Sequence, residues 1–149
     1  MAGVFGKLPT QGDFVARALP PGVQGAIDDW VTRHFLPIDA ERWPQSGILA
    51  ALPEALILAV PSCDAVGRAF ALCAVTHPQV DQPGADDWAA MALPYLDAGL
   101  SGALDLAALA QALAPLSPPP SAVPLRAPLV WAPGNAPASP EALARLSSS

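Results

Sequence analysis

Residues 6–20 read Gly6-Lys7-Leu8-Pro9-Thr10-Gln11-Gly12-Asp13-Phe14-Val15-Ala16-Arg17-Ala18-Leu19-Pro20, and this run organises the chain around it. The apolar residues 3–6 lead into it as a short strand, and residues 13–17 alternate enough to form a second extended segment. A polar loop lies between the two. The pattern therefore predicts two strands joined by a loop that carries glycine and proline.

The next elements are predicted from the spacing of apolar residues. Side chains from Val23 to Phe35 recur at steps of three and four, which predicts a helix that ends before Pro37. Residues 48–52 and 55–60 predict two strands with a tight connection; a helix is the alternative for the same stretch, because it is rich in alanine and leucine and short apolar runs fit either structure. A third strand, residues 69–76, should form a hairpin with the second through a loop at residues 61–68.

Two more helices are predicted in the second half. One follows the turn residues 83–87, with acids near its start, and Pro94 should kink it or cut it short. The other runs from about residue 105 to residue 114. Their spacing from the strands favours a domain in which helices cover a sheet.

The C-terminal part is rich in proline, with nine prolines between Pro115 and Pro140. This density favours an extended surface path, interrupted by an edge strand at residues 129–131. A short terminal helix should follow, with Ser139 as N-cap, Pro140 at its first position and Arg145 near its end. We therefore predict one α+β domain over residues 1–149, a mostly antiparallel β-sheet packed with helices in αβα-type layering.

Two sequence blocks resemble the TagF (ImpM) family associated with type VI secretion. The first is the run from Gly6 to Pro20, which contains Gly-Lys-Leu-Pro, Gly-Asp-Phe-Val, Arg and Leu-Pro in the family's order. The second is residues 60–72, where Pro-Ser and Asp precede Gly-Arg and a Phe-containing strand. Residues 128–134 are a looser third match. The resemblance extends over nearly the whole chain.

The resemblance implies a function. TagF-like proteins hold a type VI secretion system silent after translation, and the implied partner is a forkhead-associated scaffold protein of that apparatus. The chain is therefore expected to be a non-enzymatic repressor in the cytoplasm that needs no cofactor.

Charge and hydropathy narrow the classes of partner. The net charge is −6, and the single lysine and six arginines are scattered. Nucleic-acid binders and proteins that bind anionic membranes cluster such residues, so neither class is expected. The longest run of large apolar residues is too short to span a bilayer, and Met1 is followed by no signal-peptide pattern.

Candidates for catalysis are few. Gly6-Lys7 lacks the spacing of a phosphate-binding loop. Cys63 and Cys73 are ten residues apart, and His34 and His77 are 43 residues apart, so no metal-ligand spacing occurs. His34 lies at a helix end, where the dipole favours its protonated form. A thiol-dependent hydrolase that uses either cysteine is the alternative function, and a structural subunit of a larger complex is a further one.

The charged residues of the two blocks form the candidate site. Each charge lies near a glycine-containing turn. If the turns meet, an acid of one block could pair with an arginine of the other, for example Asp13 with Arg68. The group would then be a clamp that fixes the loops, a surface that binds a partner, or both. Its members are Gly6, Lys7, Leu8, Pro9, Gly12, Asp13, Phe14, Arg17, Asp64, Gly67 and Arg68.

Overall fold

A six-stranded antiparallel sheet forms the centre of the computed structural model, which describes the backbone of residues 2–146 and the side chains of residues 2–143. The strand order is β2-β1-β5-β4-β3-β6, and every neighbouring pair is antiparallel. The strands are β1 (Gly3–Gly6), β2 (Val15–Arg17), β3 (Ile48–Ala51), β4 (Leu56–Cys63), β5 (Ala69–Thr76) and β6 (Leu129–Trp131).

Helices cover both faces of this sheet. Helix α1 (Val23–Trp30) lies on one face, and helices α2 (Gln82–Ser101) and α3 (Leu106–Leu113) lie on the other. Along β4, Leu56, Leu58 and Val60 face α2 and α3, whereas Ile57 and Ala59 face α1. Successive side chains of a strand point to opposite faces, so one strand supplies both cores. The predicted α+β class with αβα layering is confirmed.

The hairpin of β4 and β5 is longer than the sequence predicts. The loop expected at residues 61–68 is limited to residues 64–68, because β4 continues through Cys63 and Pro61 pairs with Ala71 of β5. Strand β3 pairs with β4 only as far as Ala59. On the edge of β4 that faces β3, Pro61 therefore lies past the last paired residue, so its missing N–H group breaks no hydrogen bond with β3.

The first helix extends to Phe35 as predicted, but it changes its hydrogen-bond pattern. Helix α1 continues without a break into a π-helical turn, Val31–Phe35, and Leu36 N donates to Val31 O at 3.0 Å. Such single π-helical turns are short insertions in otherwise α-helical segments. Short 3₁₀ helices occur at Ala40–Arg42 and Pro140–Leu146.

Helix α2 corrects two details of the prediction. It begins at Gln82, before the acids, because Asp81 caps it by accepting a hydrogen bond from Gly84 N at 2.8 Å. Pro94 does not cut it short, and the helix continues to Ser101. Fully buried Trp88 and Leu96 anchor the helix on either side of Pro94, which lies on the exposed face.

The remaining elements agree with the sequence. Asp105 caps α3 by accepting from Ala108 N at 2.8 Å. The proline-rich segment is tied to the body by backbone bonds such as Ser121 N to Gln79 O and Leu125 N to Val80 O, both 2.8 Å. Strand β6 is an edge strand beside β3. The terminal helix is present with 3₁₀ geometry, and the predicted role of Arg145 lies outside the described side chains.

Candidate functional site

The two glycine-containing turns of the sequence blocks meet at one end of the sheet. Strand β1 leads into the first turn, residues 7–14, and β4 and β5 enclose the second turn, residues 64–68. Strands β1 and β5 are paired, so both turns extend from the same end. The backbone bond from Ala65 N to Gln11 O, 2.7 Å long, joins them directly. Residues 7–14 and 64–68 are called the two-turn face below.

Asp64 is the centre of this arrangement. Its Oδ2 atom accepts from Lys7 Nζ at 3.1 Å and from Arg68 Nε at 2.7 Å. Its Oδ1 atom accepts from the backbone N–H groups of Val66 at 3.1 Å and Arg68 at 2.9 Å. Only 2% of Asp64 is exposed. A carboxylate with four donors is fully hydrogen-bonded, so it fixes the hairpin loop and fastens it to the first turn.

This environment changes the acidity of the Asp64 side chain. Burial alone would raise its pKa, since it disfavours the charged form. The bonds from Arg68 N, the Lys7 ammonium, the Arg68 guanidinium and Val66 N outweigh burial and hold the pKa of Asp64 well below its usual range. The carboxylate is therefore an anchor that stays ionised, and it is unsuited to proton transfer near neutral pH.

Lys7 is buried together with this carboxylate. Its ammonium also lies 4.9 Å from the ring centroid of Phe14 and 5.9 Å from that of Phe70, within the range of cation–π contacts. Phe14 stacks on Phe5 with centroids 5.9 Å apart and meets Phe70 edge-on at 4.9 Å. Although 42% of Phe14 is exposed, its ring is held in place by two other rings and a cation.

The ion pair that joins the two turns is not the pair of Asp13 and Arg68 that the sequence suggested. Lys7 pairs with Asp64, and Asp13 does not pair with Arg68. Asp13 is exposed, and its Oδ1 atom accepts from Phe14 N at 2.7 Å. Arg17 lies on β2 outside the face, where its Nη1 atom donates to Ala16 O at 2.8 Å. The arginine of the second turn instead bonds the carboxylate in its own turn.

The other predicted residues shape the turns. Gly6 has φ +139°, and a Cβ atom there would collide with Ala71 O, so the close approach of β1 to β5 requires glycine. Gly67 has φ +87°, which glycine adopts without strain. Gly12 contributes its carbonyl, which accepts from Arg68 Nη2 at 3.2 Å. Leu8 is buried in the core beneath the face, and Pro9 is half-buried.

Sequence reasoning missed three contributors to this site. Ser62 Oγ donates to Lys7 O at 2.6 Å, and Phe70 completes the aromatic cluster. Val66 is 73% exposed at the tip of the hairpin loop. Ser62 and Phe70 belong to the second TagF-like block, and Val66 is the one large apolar residue in the turn Asp64-Ala65-Val66-Gly67-Arg68, so each had a signal in the sequence that was not read as a contribution to the site.

The N-terminal third of the chain, which includes the first turn, matches a known protein family. Residues 3–46 match the model of the TagF N-terminal domain, which is described as type VI secretion system-associated. The resemblance to the TagF family is confirmed. The match contains the first turn of the two-turn face. The TagF-like motifs at residues 60–72 and 128–134 lie outside it and remain predictions.

One solved structure shares the fold over almost the whole chain. The crystal structure of PA0076 from Pseudomonas aeruginosa PAO1 superposes with a TM-score of 0.62 and 23% sequence identity. The alignment covers 99% of this chain and 79% of that chain. At this identity the likeness concerns the fold alone. Comparison with curated proteins gave no match.

The cysteines and histidines were the alternative candidates for chemistry. Cys73 is fully buried, and burial raises the pKa of its thiol to about 12, which disfavours the nucleophilic thiolate. Cys63 is half-buried at the end of β4. His77 is structural, because Nε2 lies 2.7 Å from Pro118 O, to which it donates, and Nδ1 accepts from Gln79 N at 3.2 Å.

His34 behaves differently from the expectation at a helix end. Burial and the neighbouring charge of Arg33 lower its pKa, and the opposing effect of Glu141 is smaller. Its ring lies 4.4 Å from that of Trp30.

Metal binding and membrane insertion have no support in the part of the chain that the structure describes. Among the side chains of residues 2–143, no group of three or more His, Cys, Asp or Glu is placed to bind a metal ion. None of the helices within residues 2–146 has the length and apolar character needed to cross a membrane.

Proposed function

We propose that this chain is a cytoplasmic, non-enzymatic repressor of a type VI secretion system, which acts after translation by binding a forkhead-associated scaffold protein. The TagF resemblance of residues 3–46 supports the pathway. The observation that carries the proposal is the joining of both turns by Asp64 into one rigid face, with Lys7 from the first turn and Arg68 from the second.

The composition of the two-turn face suits protein binding. Phe14 and Val66 are exposed on the two turns, and the second turn also carries Arg68, whose side chain is 66% exposed. Aromatic residues and arginine are enriched at protein interfaces. Because the face is already ordered, binding costs little conformational entropy, which favours affinity. In this mechanism the face occupies the scaffold and prevents assembly partners from binding it.

Asp64 on the face and Cys73 in the core both favour binding over catalysis. Asp64 has all its acceptor positions filled, and its pKa lies far below neutrality. Cys73 lies in the core with a raised pKa. These groups support a non-enzymatic role.

The test uses two exposed valines as a matched pair. Val66 is 73% exposed on the two-turn face, and Val123 is 81% exposed in the proline-rich segment. Val66→Asp should weaken binding to the purified scaffold protein at least about tenfold, or 1.4 kcal/mol, whereas Val123→Asp should bind like wild type. Both variants should keep the wild-type thermal midpoint. Isothermal calorimetry measures the affinity.

A cellular assay tests repression. Excess wild-type chain should reduce the release of a type VI effector into the medium, and Val66→Asp should restore that release while Val123→Asp should not. Absence of binding between the wild-type chain and the scaffold at micromolar concentration would contradict the proposal. Equal loss of binding in both valine variants would contradict the choice of face.

A further inference from the structure

Arg68 is held in one orientation yet keeps donors available. Its Nε atom donates to Asp64 Oδ2 at 2.7 Å, and its Nη2 atom donates to Gly12 O at 3.2 Å. A guanidinium has five N–H groups, so those of Nη1 and the second of Nη2 have no partner within residues 2–143. Bonds at two positions fix the plane of the group. The free N–H groups are therefore presented to solvent in a set direction.

The charge at this end of the sheet contrasts with that of the whole chain. The two-turn face carries two cations and two acids, and Arg17 of neighbouring β2 adds a third cation, while the chain carries −6. The charge of buried Asp64 is balanced by that of buried Lys7. The outward charges are thus Arg68, Arg17 and Asp13. This end of the molecule is locally positive on an acidic protein.

Apolar surface lies on the same turns. Val66 lies two residues before Arg68 in the second turn. Phe14 lies two residues after Gly12, and the Gly12 carbonyl accepts a hydrogen bond from the Arg68 guanidinium. Phe14 is fixed by ring contacts, and Val66 is in a loop fixed by Asp64. The face therefore combines an oriented cation with two ordered apolar side chains.

We infer that the partner surface presents a carboxylate to the free N–H groups of Arg68, next to an apolar side chain that covers Val66 and Phe14. Charge complementarity favours this occupant, since a planar guanidinium fork matches a carboxylate in two parallel bonds. The inference rests on the proposed function, because the carboxylate belongs to the scaffold protein. It adds the chemistry of the interface, which the TagF resemblance does not supply.

Substitutions at Val66 test the sign of the partner's charge. Val66→Glu and Val66→Lys are similar in length, and the position is exposed enough that neither should affect folding. At low salt, Val66→Glu should bind the purified scaffold at least about tenfold more weakly than Val66→Lys, and the difference should shrink at 0.5 M salt. Equal affinities, or tighter binding by Val66→Glu, would overturn the inference.

Arg68 itself provides the second measurement. Arg68→Gln should weaken binding at least about tenfold, and Arg68→Lys should recover only part of it, because lysine keeps the charge but lacks the planar fork. Arg126→Gln is the control, since Arg126 is exposed in the proline-rich segment. Thermal midpoints separate loss of binding from loss of folding.

The outcomes are distinguishable. If the wild-type chain does not bind the scaffold, the proposed function fails and the inference fails with it. If wild type binds and Arg68→Gln binds equally well with an unchanged midpoint, only the inference is overturned.

Discussion

Asp64 shows how one side chain connects two distant parts of the sequence. It lies 57 residues from Lys7, yet both are buried in one ion pair. Each charge was visible in the sequence, but their pairing was not. Asp13 and Asp64 both lie near glycines in the sequence. Which of them forms the buried ion pair depends on where β4 ends. Because β4 continues to Cys63, Asp64 is placed at the end of the strand and points inward.

Replacing Asp64 should destabilise the protein. Asp64→Asn removes the charge that Lys7 and Arg68 share, so we expect a thermal midpoint several degrees lower at pH 7. Asp13→Asn is the matched control and should leave the midpoint nearly unchanged, because Asp13 is exposed and asparagine can also accept from Phe14 N. Circular dichroism melts measure both. Equal midpoints for the two variants would contradict the anchoring role of Asp64.

Acid stability should depend on the same residue. Folding lowers the pKa of Asp64, so the ionised group contributes stability that is fully present above its unfolded value, near 3.8, and is lost as the pH falls below it. Unfolding free energy should therefore decrease on acidification below about pH 4, and the decrease should be shallower in Asp64→Asn. Urea titrations between pH 2 and pH 7 provide the comparison. Parallel profiles would contradict the assigned shift.

At the scale of elements, most strands and helices were predictable and their ends were not. The continuous apolar run of β5 reflects burial on both faces, and the three- and four-residue steps of α1 reflect burial on one face; sequence patterns record both directly. The start of α2 was missed because Asp81 caps the helix before Pro83, and proline is compatible with a first turn. The run past Pro94 was missed because packing of Trp88 and Leu96 is a tertiary effect.

Pro94 should destabilise α2, and replacing it should stabilise the protein. Pro94→Ala restores an N–H group that can donate to the carbonyl of Ala90, and alanine favours a helix interior, so unfolding free energy should rise by roughly 1–3 kcal/mol. Pro83→Ala is the control and should change it little, since the first turn needs no such donor. Urea denaturation measures both. A destabilised Pro94→Ala variant would show that packing requires the proline.

At the scale of the whole molecule, the two cores share one sheet. Leu58 and Ile57 are adjacent on β4, fully buried, and belong to opposite cores. We therefore expect one cooperative unfolding unit, in line with the single domain proposed for residues 1–149. The αβα arrangement was predictable from element order, whereas the position of β6 beside β3 was not, because pairing between distant segments leaves no periodic signal.

Two core substitutions test this cooperativity. Leu58→Ala and Ile57→Ala should each lower the unfolding free energy by roughly 2–5 kcal/mol, through lost burial and the cavity that remains. Transitions followed by tryptophan fluorescence and by far-ultraviolet circular dichroism should coincide in both variants. Separate transitions would indicate that one layer unfolds independently of the other.

The bridge between Val130 and Ala138 has a consequence for solution behaviour. Val130 N donates to Ala138 O and Ala138 N donates to Val130 O, both at 2.8 Å, so the chain's own C-terminal segment occupies the outer side of β6. At the opposite margin, the Arg17 guanidinium covers the Ala16 carbonyl. Exposed margins of β-sheets recruit strands from other molecules and promote aggregation. Because groups at both margins already have partners within the chain, fewer of them are free to pair with a strand of another molecule, which disfavours polymerisation at high concentration.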